Sequence, residues 1–409
     1  MKFPDKFLWG TATAAHQVEG SNINCDSWFL EHIKGTLYAE VSGDACDQYH
    51  RYADDLALLA RLGFNAYRFS IEWARIEPED GEFSLAELEH YRRLLASCRE
   101  HGLTPVVTFH HFTSPRWIAA RGGWEEPETA KRFAGYCERA ARHLGDLIGA
   151  ACTINELNVG ILLQTWGIVP PDEVIVRAGW RKEAARAMGV SAEQFSCFPF
   201  CVRSVSGEIL RAAHRLGAQA LRAGPGKYPV GMTIALGDLQ AEPGGEQIRD
   251  RAQAQAEDVF LEAARGDDFV GVQTYTRQRF GPKGVLAPQS GAELTQMGYE
   301  FWPEALEATI RHASAKAQVP IIVTESGIGT DDDSRRIAYV ERALAGVARC
   351  LNDGIDVRGY FYWSMLDNFE WLLGYRPTFG LIAVDRETQA RSVKPSGEWL
   401  GKIARANAT

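Results

Sequence analysis

The feature that most constrains the fold of this chain is a repeated alternation of short apolar runs with longer amphipathic segments. Several of the runs are almost continuously apolar, as strands covered on both faces are. The eight candidate strands are Leu8–Ala12, Ala66–Ser70, Thr104–His110, Ala151–Glu156, Val230–Leu236, Phe269–Tyr275, Pro320–Glu325 and Gly359–Ser364. The candidate helices are Asp54–Leu62, Leu85–His101, Pro127–Leu144 and Ser206–Leu221. This α/β pattern predicts a closed (β/α)8 TIM barrel.

No linker rich in Gly, Ser or Pro divides the 409 residues, so the sequence predicts one catalytic domain over residues 1–409. Three irregular stretches are expected to form long loops over the C-terminal rim of the barrel. They span Trp166–Cys201, Gly237–Gln247 and Phe280–Gly298. Such loops shape the site in barrel enzymes, so this rim is where we expect the active site.

Composition excludes several classes of partner. The formal net charge of −9 argues against a nucleic-acid partner, because phosphate binding needs concentrated Lys and Arg. No apolar run reaches 18 residues, so no membrane segment is expected. The opening MKFPDKFLWGTATAA does not resemble a signal peptide, and the eight cysteines form no CxxC pair. These features favour a cytoplasmic enzyme with reduced cysteines; a homo-oligomer is left open.

Polar and aromatic residues gather where the predicted strands end, which is where barrel enzymes carry their catalytic groups. Gln17 follows the first strand, Arg68 lies in the second, and His110–His111 close the third. The remaining strand ends carry Asn155–Glu156, Tyr275, Glu325 and Trp363. Taken singly, each residue has an ordinary structural explanation, but together they predict a polar ring around one mouth.

Two carboxylates on different strands, facing one cavity, are what glycoside hydrolysis requires. Arg68 would keep Glu325 ionised as the nucleophile, and the negative Glu325 would keep Glu156 protonated as the general acid. Asn155 is suited to donate to a sugar hydroxyl, and Tyr275 to donate to the nucleophile. The sequence therefore predicts a glycosidase that needs no cofactor.

A metal site at His110 and His111 is the competing interpretation of the third strand. Adjacent residues of a strand point to opposite faces, so both imidazoles cannot easily bind one ion. We therefore expect one of the two histidines in the cavity, the other packed outside it, and no metal.

Several segments resemble glycoside hydrolase family 1, the β-glucosidase family, and the likeness spans nearly the whole chain. The matching segments are FLWGTATAAHQVEG (7–20), YRFSIEWARIEP (67–78), VTFHHFTSPRW (107–117), TINELN (153–158), VTESG (323–327), YWSMLDNFEW (362–371) and TFGL (378–381). The resemblance implies Glu156 as acid/base and Glu325 as nucleophile, with Arg68 beside it. It implies that Gln17, His111, Trp363, Glu370, Trp371 and Phe379 form the sugar pocket.

The chain departs from the family pattern at a few positions. Leu157 stands where the family usually has Pro, Ser326 where it has Asn, and Gln273 where it has Asn. The segment 25–44 is shorter than the usual first loop. Glu370 is retained, and a carboxylate there would repel a 6-phosphate, so the resemblance implies an unphosphorylated glycone such as glucose, fucose or galactose.

The sequence thus predicts a retaining β-glycosidase, of the β-glucosidase type, acting on small-molecule glycosides or oligosaccharides. Two alternatives remain at this point, a transglycosylase on the same scaffold and a catalytically inactive sugar-binding barrel. An aldolase-type barrel would need a lysine at a strand end, and none of the eight candidate strands ends in Lys.

Overall fold

Eight parallel strands close into a barrel in the computed structural model, which describes residues 2–409. The barrel strands β1 to β8 are Leu8–Ala12, Ala66–Ser70, Thr104–His110, Ala150–Ile154, Val230–Ala235, Phe269–Gln273, Ile321–Ser326 and Val357–Trp363. Each strand pairs with its neighbours in chain order, and β1 pairs with β8 in register from Leu8↔Gly359 to Ala12↔Trp363. The predicted TIM barrel is therefore confirmed.

Helices cover the outside of the barrel. The larger ones are Gln48–Leu62, Leu85–Glu100, Glu128–Leu144, Ser204–Ala223, Ala305–Ala317, Asp333–Asn352 and Pro395–Ala406. Shorter helices are Ala15–Val18, Asp26–Glu31, Trp73–Ile76, Arg116–Ala120, Val159–Thr165, Asp172–Arg177, Gly179–Met188, Glu246–Gln253 and Val259–Ala263, with a π-helical turn at Ala254–Asp258. The first predicted helix begins six residues earlier than expected, because Asp47 adopts a left-handed conformation that precedes helical backbone from Gln48.

The hydrophobic core has two parts. The larger one lies between the sheet and the surrounding helices, and a smaller one fills the barrel interior. Gly10 on β1 illustrates the tight interior packing, because a Cβ there would lie 2.4 Å from the ring of Phe361 on β8. This packed interior leaves the strand ends at the rim as the place where polar side chains can meet.

Two strands were predicted two residues too long at their ends. β4 ends at Ile154 rather than Glu156, because the backbone turns at Glu156 with φ 41° before the helix Val159–Thr165 begins. β6 ends at Gln273 rather than Tyr275. The functional residues therefore follow these strands instead of closing them.

The long rim segments carry more secondary structure than the word loop suggests. Residues 166–201 contain the two helices Asp172–Arg177 and Gly179–Met188 and a 3-10 turn at Phe198–Phe200. Residues Asp238–Ala241 pair in parallel with Arg277–Gly281, which pairs with Gly284–Val285, and Ile382–Val384 pairs with Arg391–Val393.

Over residues 2–409, no helix is long and apolar enough to cross a membrane. All eight cysteines are buried free thiols.

Candidate active site

The two candidate catalytic carboxylates belong to strands on different sides of the barrel. Glu325 lies in β7, and Glu156 lies two residues beyond the end of β4. Arg68 projects from β2 and Trp363 ends β8, so four strands contribute to one site at the C-terminal rim.

Three side chains donate hydrogen bonds to the Glu325 carboxylate. Arg68 donates from Nη1 to Oε1 over 2.6 Å, and Gln273 donates from Nε2 to the same oxygen over 3.0 Å. The Tyr275 hydroxyl donates to Oε2 over 2.5 Å. Both oxygens are thus held, which fixes the orientation of the carboxylate.

Asn155 connects this network to the third strand. Its Oδ1 accepts hydrogen bonds from Arg68 Nη2 over 2.5 Å and from Gln273 Nε2 over 2.8 Å. Its amide nitrogen therefore faces His111 Nε2, at 3.1 Å. Burial, and then the charge of Arg68, holds the pKa of His111 well below its usual value. The neutral His111 accepts at Nε2, so its proton lies on Nδ1, which has no partner among the described residues.

Glu156 has very different surroundings. Burial and the negative charge of Glu325 raise the pKa of Glu156 well above its usual value, while Arg68 opposes this shift. Within residues 2–409, no side chain donates a hydrogen bond to its carboxyl group. Its backbone φ of 41° is left-handed, and such strain costs about 1–3 kcal/mol and tends to occur at functional sites.

The two carboxyl groups therefore ionise in a definite order. Burial also raises the pKa of Glu325 above its usual value, while the charge of Arg68 and the hydrogen bond from Tyr275 oppose this shift. Because the cation and the hydrogen bonds act on Glu325 and the like charge acts on Glu156, Glu325 loses its proton first. This is the order that we expected from the sequence.

A second polar cluster surrounds Glu370. Gln17 donates from Nε2 to the backbone oxygen of Phe369 over 2.8 Å and to Glu370 Oε2 over 3.4 Å, and its own Oε1 is buried without a partner among the described residues. Trp363 donates from Nε1 to Glu370 Oε1 over 3.3 Å. Burial raises the pKa of Glu370 to about 8. This cluster offers the unpartnered Gln17 Oε1 and the Glu370 carboxyl group to a polyhydroxyl ligand.

Aromatic rings line the same site. The indole of Trp363 stacks on His111 with centroids 5.7 Å apart, and the indole of Trp371 stacks on the same imidazole with centroids 6.4 Å apart. Phe379 packs edge-on against Tyr275 at 6.1 Å. Flat apolar rings beside polar donors suit a sugar, whose C–H face is apolar and whose edge is hydroxylated.

The structure brings the predicted site residues together. Contacts link Gln17, Arg68, His111, Asn155, Tyr275, Glu325, Trp363, Glu370, Trp371 and Phe379, and electrostatic coupling links Glu156 to Glu325. His110 instead packs between Trp124 and Phe198, as the alternation of side chains along a strand requires.

Gln273 was missed as a member of the site, although it touches both Asn155 and Glu325. Its signal was its position, two residues before Tyr275 and polar within a buried strand. Over residues 2–409, no group of three or more His, Cys, Asp or Glu could hold a metal ion.

Comparison with known proteins agrees with this geometry. The family model described as glycosyl hydrolase family 1 matches residues 1–195 and 250–409. The chain is 31% identical to β-glucosidase A of Thermotoga maritima, over 99% of this chain and 98% of that protein. It is 32% identical to a bifunctional β-D-glucosidase/β-D-fucosidase of Bifidobacterium breve, over 98% of each chain.

A solved structure is also very similar. The crystal structure of β-glycosidase BGL167 matches with a TM-score of 0.97 and 54% identity, covering 100% of this chain and 98% of that one. The likeness extends over the whole barrel and its rim.

Proposed function

The chain belongs to glycosyl hydrolase family 1 and is a retaining β-glycosidase of the β-glucosidase type, and we propose that Glu325 is its nucleophile and Glu156 its general acid/base. One observation carries this assignment. Of the two coupled carboxyl groups, Glu325 is paired with a buried guanidinium and Glu156 is not. An ionised nucleophile beside a protonated acid is the starting state of a double displacement.

In the first step, a Glu325 oxygen attacks the anomeric carbon of the bound glycoside. The bond from this carbon to the aglycone oxygen breaks, and the proton of Glu156 passes to that oxygen. A glycosyl ester on Glu325 and a free aglycone alcohol result. The hydrogen bond from Tyr275 to Glu325 Oε2 holds the nucleophile during the attack.

In the second step, Glu156 is ionised and acts as a base. It takes a proton from water while the water oxygen attacks the anomeric carbon, and the ester bond to Glu325 breaks. Two inversions at one carbon release the sugar with its β configuration.

The pocket around Glu370 binds the glycone in this proposal. Trp363 provides the platform, and Gln17, His111, Glu370 and Trp371 contact hydroxyl groups. The support is the set of unpartnered polar atoms at Gln17 Oε1 and His111 Nδ1, which are buried and need partners. Phe379 completes the apolar wall.

The Glu370 carboxyl group bears on the choice of glycone. A carboxyl group in this position disfavours a 6-phosphorylated sugar, which supports a neutral terminal β-D-glycoside as the substrate. Glucose is our first choice and fucose or galactose the next; the Bifidobacterium breve relative is named for both glucosidase and fucosidase activity.

The proposal extends to the domain organisation, the location and the type of reaction. Residues 1–409 act as one catalytic unit, which is supported by the core that continues from β1 to the last helix. A cytoplasmic location is supported by the eight unpaired cysteines, because oxidising compartments favour disulfides. Hydrolysis is preferred to transglycosylation and to sugar binding without catalysis, since the relatives compared above are named as glucosidases.

A panel of nitrophenyl β-glycosides tests the proposal, with the wild type, Glu156→Gln and Glu325→Gly compared. We expect release of nitrophenol from the β-glucoside by the wild type and none by Glu325→Gly. Azide added to Glu325→Gly should restore turnover and give the α-glycosyl azide, because it attacks once from the vacated face. Unchanged activity of Glu325→Gly would overturn the assignment.

A further inference from the structure

Thr233 on β5 lies between the backbone of the proposed acid/base and the side chain of its neighbour. The backbone N–H of Glu156 donates to Thr233 Oγ1 over 3.0 Å, and this hydroxyl donates to Asn155 Oδ1 over 3.2 Å. The backbone N–H of Leu157 also donates to the Thr233 carbonyl, over 3.4 Å. Thr233 is 0% exposed, so its hydroxyl does not contact solvent.

The segment that Thr233 holds is strained at Glu156. Glu156 has a φ of 41°, a conformation that a side chain with a Cβ adopts only where the surroundings impose it. Two residues later, the Asn158 side chain donates to the Ala235 carbonyl over 2.8 Å and accepts from the Ala235 N–H over 2.9 Å. The turn after β4 is thus fastened to β5 on both sides of Glu156.

The carboxyl group of Glu156 depends on this backbone for its position. Arg68, Gln273 and Tyr275 hold the Glu325 carboxylate by side-chain hydrogen bonds. Nothing comparable holds Glu156 among residues 2–409, where no side chain donates to its carboxyl group. Its direction is therefore set by the left-handed turn from which it projects.

We propose that Thr233 is a positioning residue for the general acid/base, acting through the backbone of Glu156. The inference rests on the role proposed above for Glu156. Without the Thr233 hydroxyl, the Glu156 N–H loses its partner and the turn can relax toward extended backbone. The carboxyl group would then move away from the glycosidic oxygen, and proton transfer would suffer while nucleophilic attack by Glu325 would not.

The test uses substrates that differ in their need for acid. Cellobiose has a poor leaving group that must be protonated, whereas the dinitrophenolate of 2,4-dinitrophenyl β-D-glucoside leaves without a proton. Thr233→Val keeps the shape of the side chain and removes the hydroxyl. We expect kcat/KM to fall roughly 10- to 100-fold for cellobiose, as for a catalytic group misplaced by about 1 Å, and less than about 3-fold for the dinitrophenyl glucoside.

Deglycosylation gives a second readout. Glu156 must act as a base in that step, so kcat for the dinitrophenyl glucoside should fall in Thr233→Val and rise again with azide, which attacks without a base. The product should be the β-glucosyl azide. Thr233→Ser restores the hydroxyl and should restore both steps to within a few-fold of the wild type.

Two reference variants make the result decisive. Thr11→Val removes another buried strand hydroxyl, one that has no partner among the described residues, and should leave both substrates unaffected. Glu156→Ala should show the full loss of acid catalysis and a strong azide effect. If Glu156→Ala lacks these properties, the proposed function fails.

If Glu156→Ala behaves as expected but kcat/KM of Thr233→Val falls equally for both substrates, or falls for neither, the proposed role of Thr233 is wrong. Circular dichroism and the midpoint of thermal unfolding identify a variant that fails to fold. In that case Thr233→Ser and Thr233→Ala are measured with the same two substrates. The loss of kcat/KM for cellobiose, relative to the loss for the dinitrophenyl glucoside, then decides the question.

Discussion

Arg68 and Glu325 form a buried ion pair across the barrel, with Nη1 and Oε1 2.6 Å apart and side-chain exposures of 0% and 5%. The second terminal nitrogen of Arg68 holds Asn155, which lies beside Glu156. One guanidinium therefore contacts the proposed nucleophile and the neighbour of the proposed acid/base. Because neither charge of the pair can be satisfied by solvent, removal of either partner leaves an uncompensated charge in the interior.

Replacing Arg68 with Met should therefore shift the pH profile as well as the rate. Arg68 lowers the pKa of Glu325, so its loss raises this pKa, and the nucleophile stays protonated to higher pH. We expect the acidic limb of kcat/KM to move to higher pH and the maximum to fall about 100-fold or more. Profiles with 4-nitrophenyl β-glucoside measure both. A lower rate with an unmoved acidic limb would contradict the electrostatic role.

The coupling between the two carboxyl groups should reverse when the nucleophile is esterified. The negative charge of Glu325 raises the pKa of Glu156, and a glycosyl ester on Glu325 removes that charge. The pKa of Glu156 should then fall, which converts the acid of the first step into the base of the second. NMR titration of 13C-labelled glutamate, in the free enzyme and in a trapped 2-deoxy-2-fluoroglucosyl enzyme, measures this change. Glu156→Gln identifies the resonance, and an unchanged pKa would contradict the coupling.

Glu370→Gln should test whether Glu370 recognises the glycone rather than taking part in catalysis. The carboxyl group accepts from Trp363 and Gln17 and has a pKa raised to about 8 by burial. Below a pH of about 8 the carboxyl group is mostly neutral. A neutral hydrogen bond to a sugar hydroxyl contributes about 0.5–1.5 kcal/mol, so kcat/KM for the β-glucoside should fall roughly 2- to 10-fold. A β-xyloside lacks the hydroxymethyl group and should lose less. Equal losses for the two sugars would place Glu370 away from that group.

Much of the fold was predictable because the barrel strands are buried on both faces. β1, β2 and β3 have the predicted ends, and each is a short, almost fully buried run. The ends of β4 and β6 were predicted too long, because Asn155, Glu156 and Tyr275 continue the strand-like pattern locally. Their backbone is decided by partners on other strands, which a local pattern does not contain.

The residues that form the site were easier to predict than the contacts between them. Residues at strand ends must share a rim once the barrel closes, so Arg68 and Glu325 could be paired on the sequence alone. That Gln273 would reach both Asn155 and Glu325 depends on the length of its side chain and on the barrel stagger. That Thr233 would fasten Glu156 depends on a backbone turn with φ 41°, for which glutamate gives no local signal.

The rim behind the nucleophile is itself held by a buried cation, and its removal should destabilise the fold. Arg336 is 0% exposed and donates to the Thr330 carbonyl over 2.7 Å and to the Thr378 carbonyl over 2.7 Å. Thr330 follows β7, and Thr378 precedes Phe379, so this guanidinium joins the nucleophile strand to the pocket wall.

Arg336→Met should remove the charged donor from both carbonyls, which then keep one neutral donor each, Thr378 Oγ1 for Thr330 and the Thr330 N–H for Thr378. A lost hydrogen bond to a charged group costs roughly 1.5–3 kcal/mol. We expect the midpoint of thermal unfolding to fall by several degrees and KM for the β-glucoside to rise as Phe379 loses its support. Arg358→Met is the matched control, because Arg358 pairs with Asp356 at a side-chain exposure of 53% and its loss should change stability by less than about 0.5 kcal/mol. Equal shifts in the two midpoints would contradict the prediction, because the buried hydrogen bonds of Arg336 would then stabilise the fold no more than the exposed ion pair of Arg358.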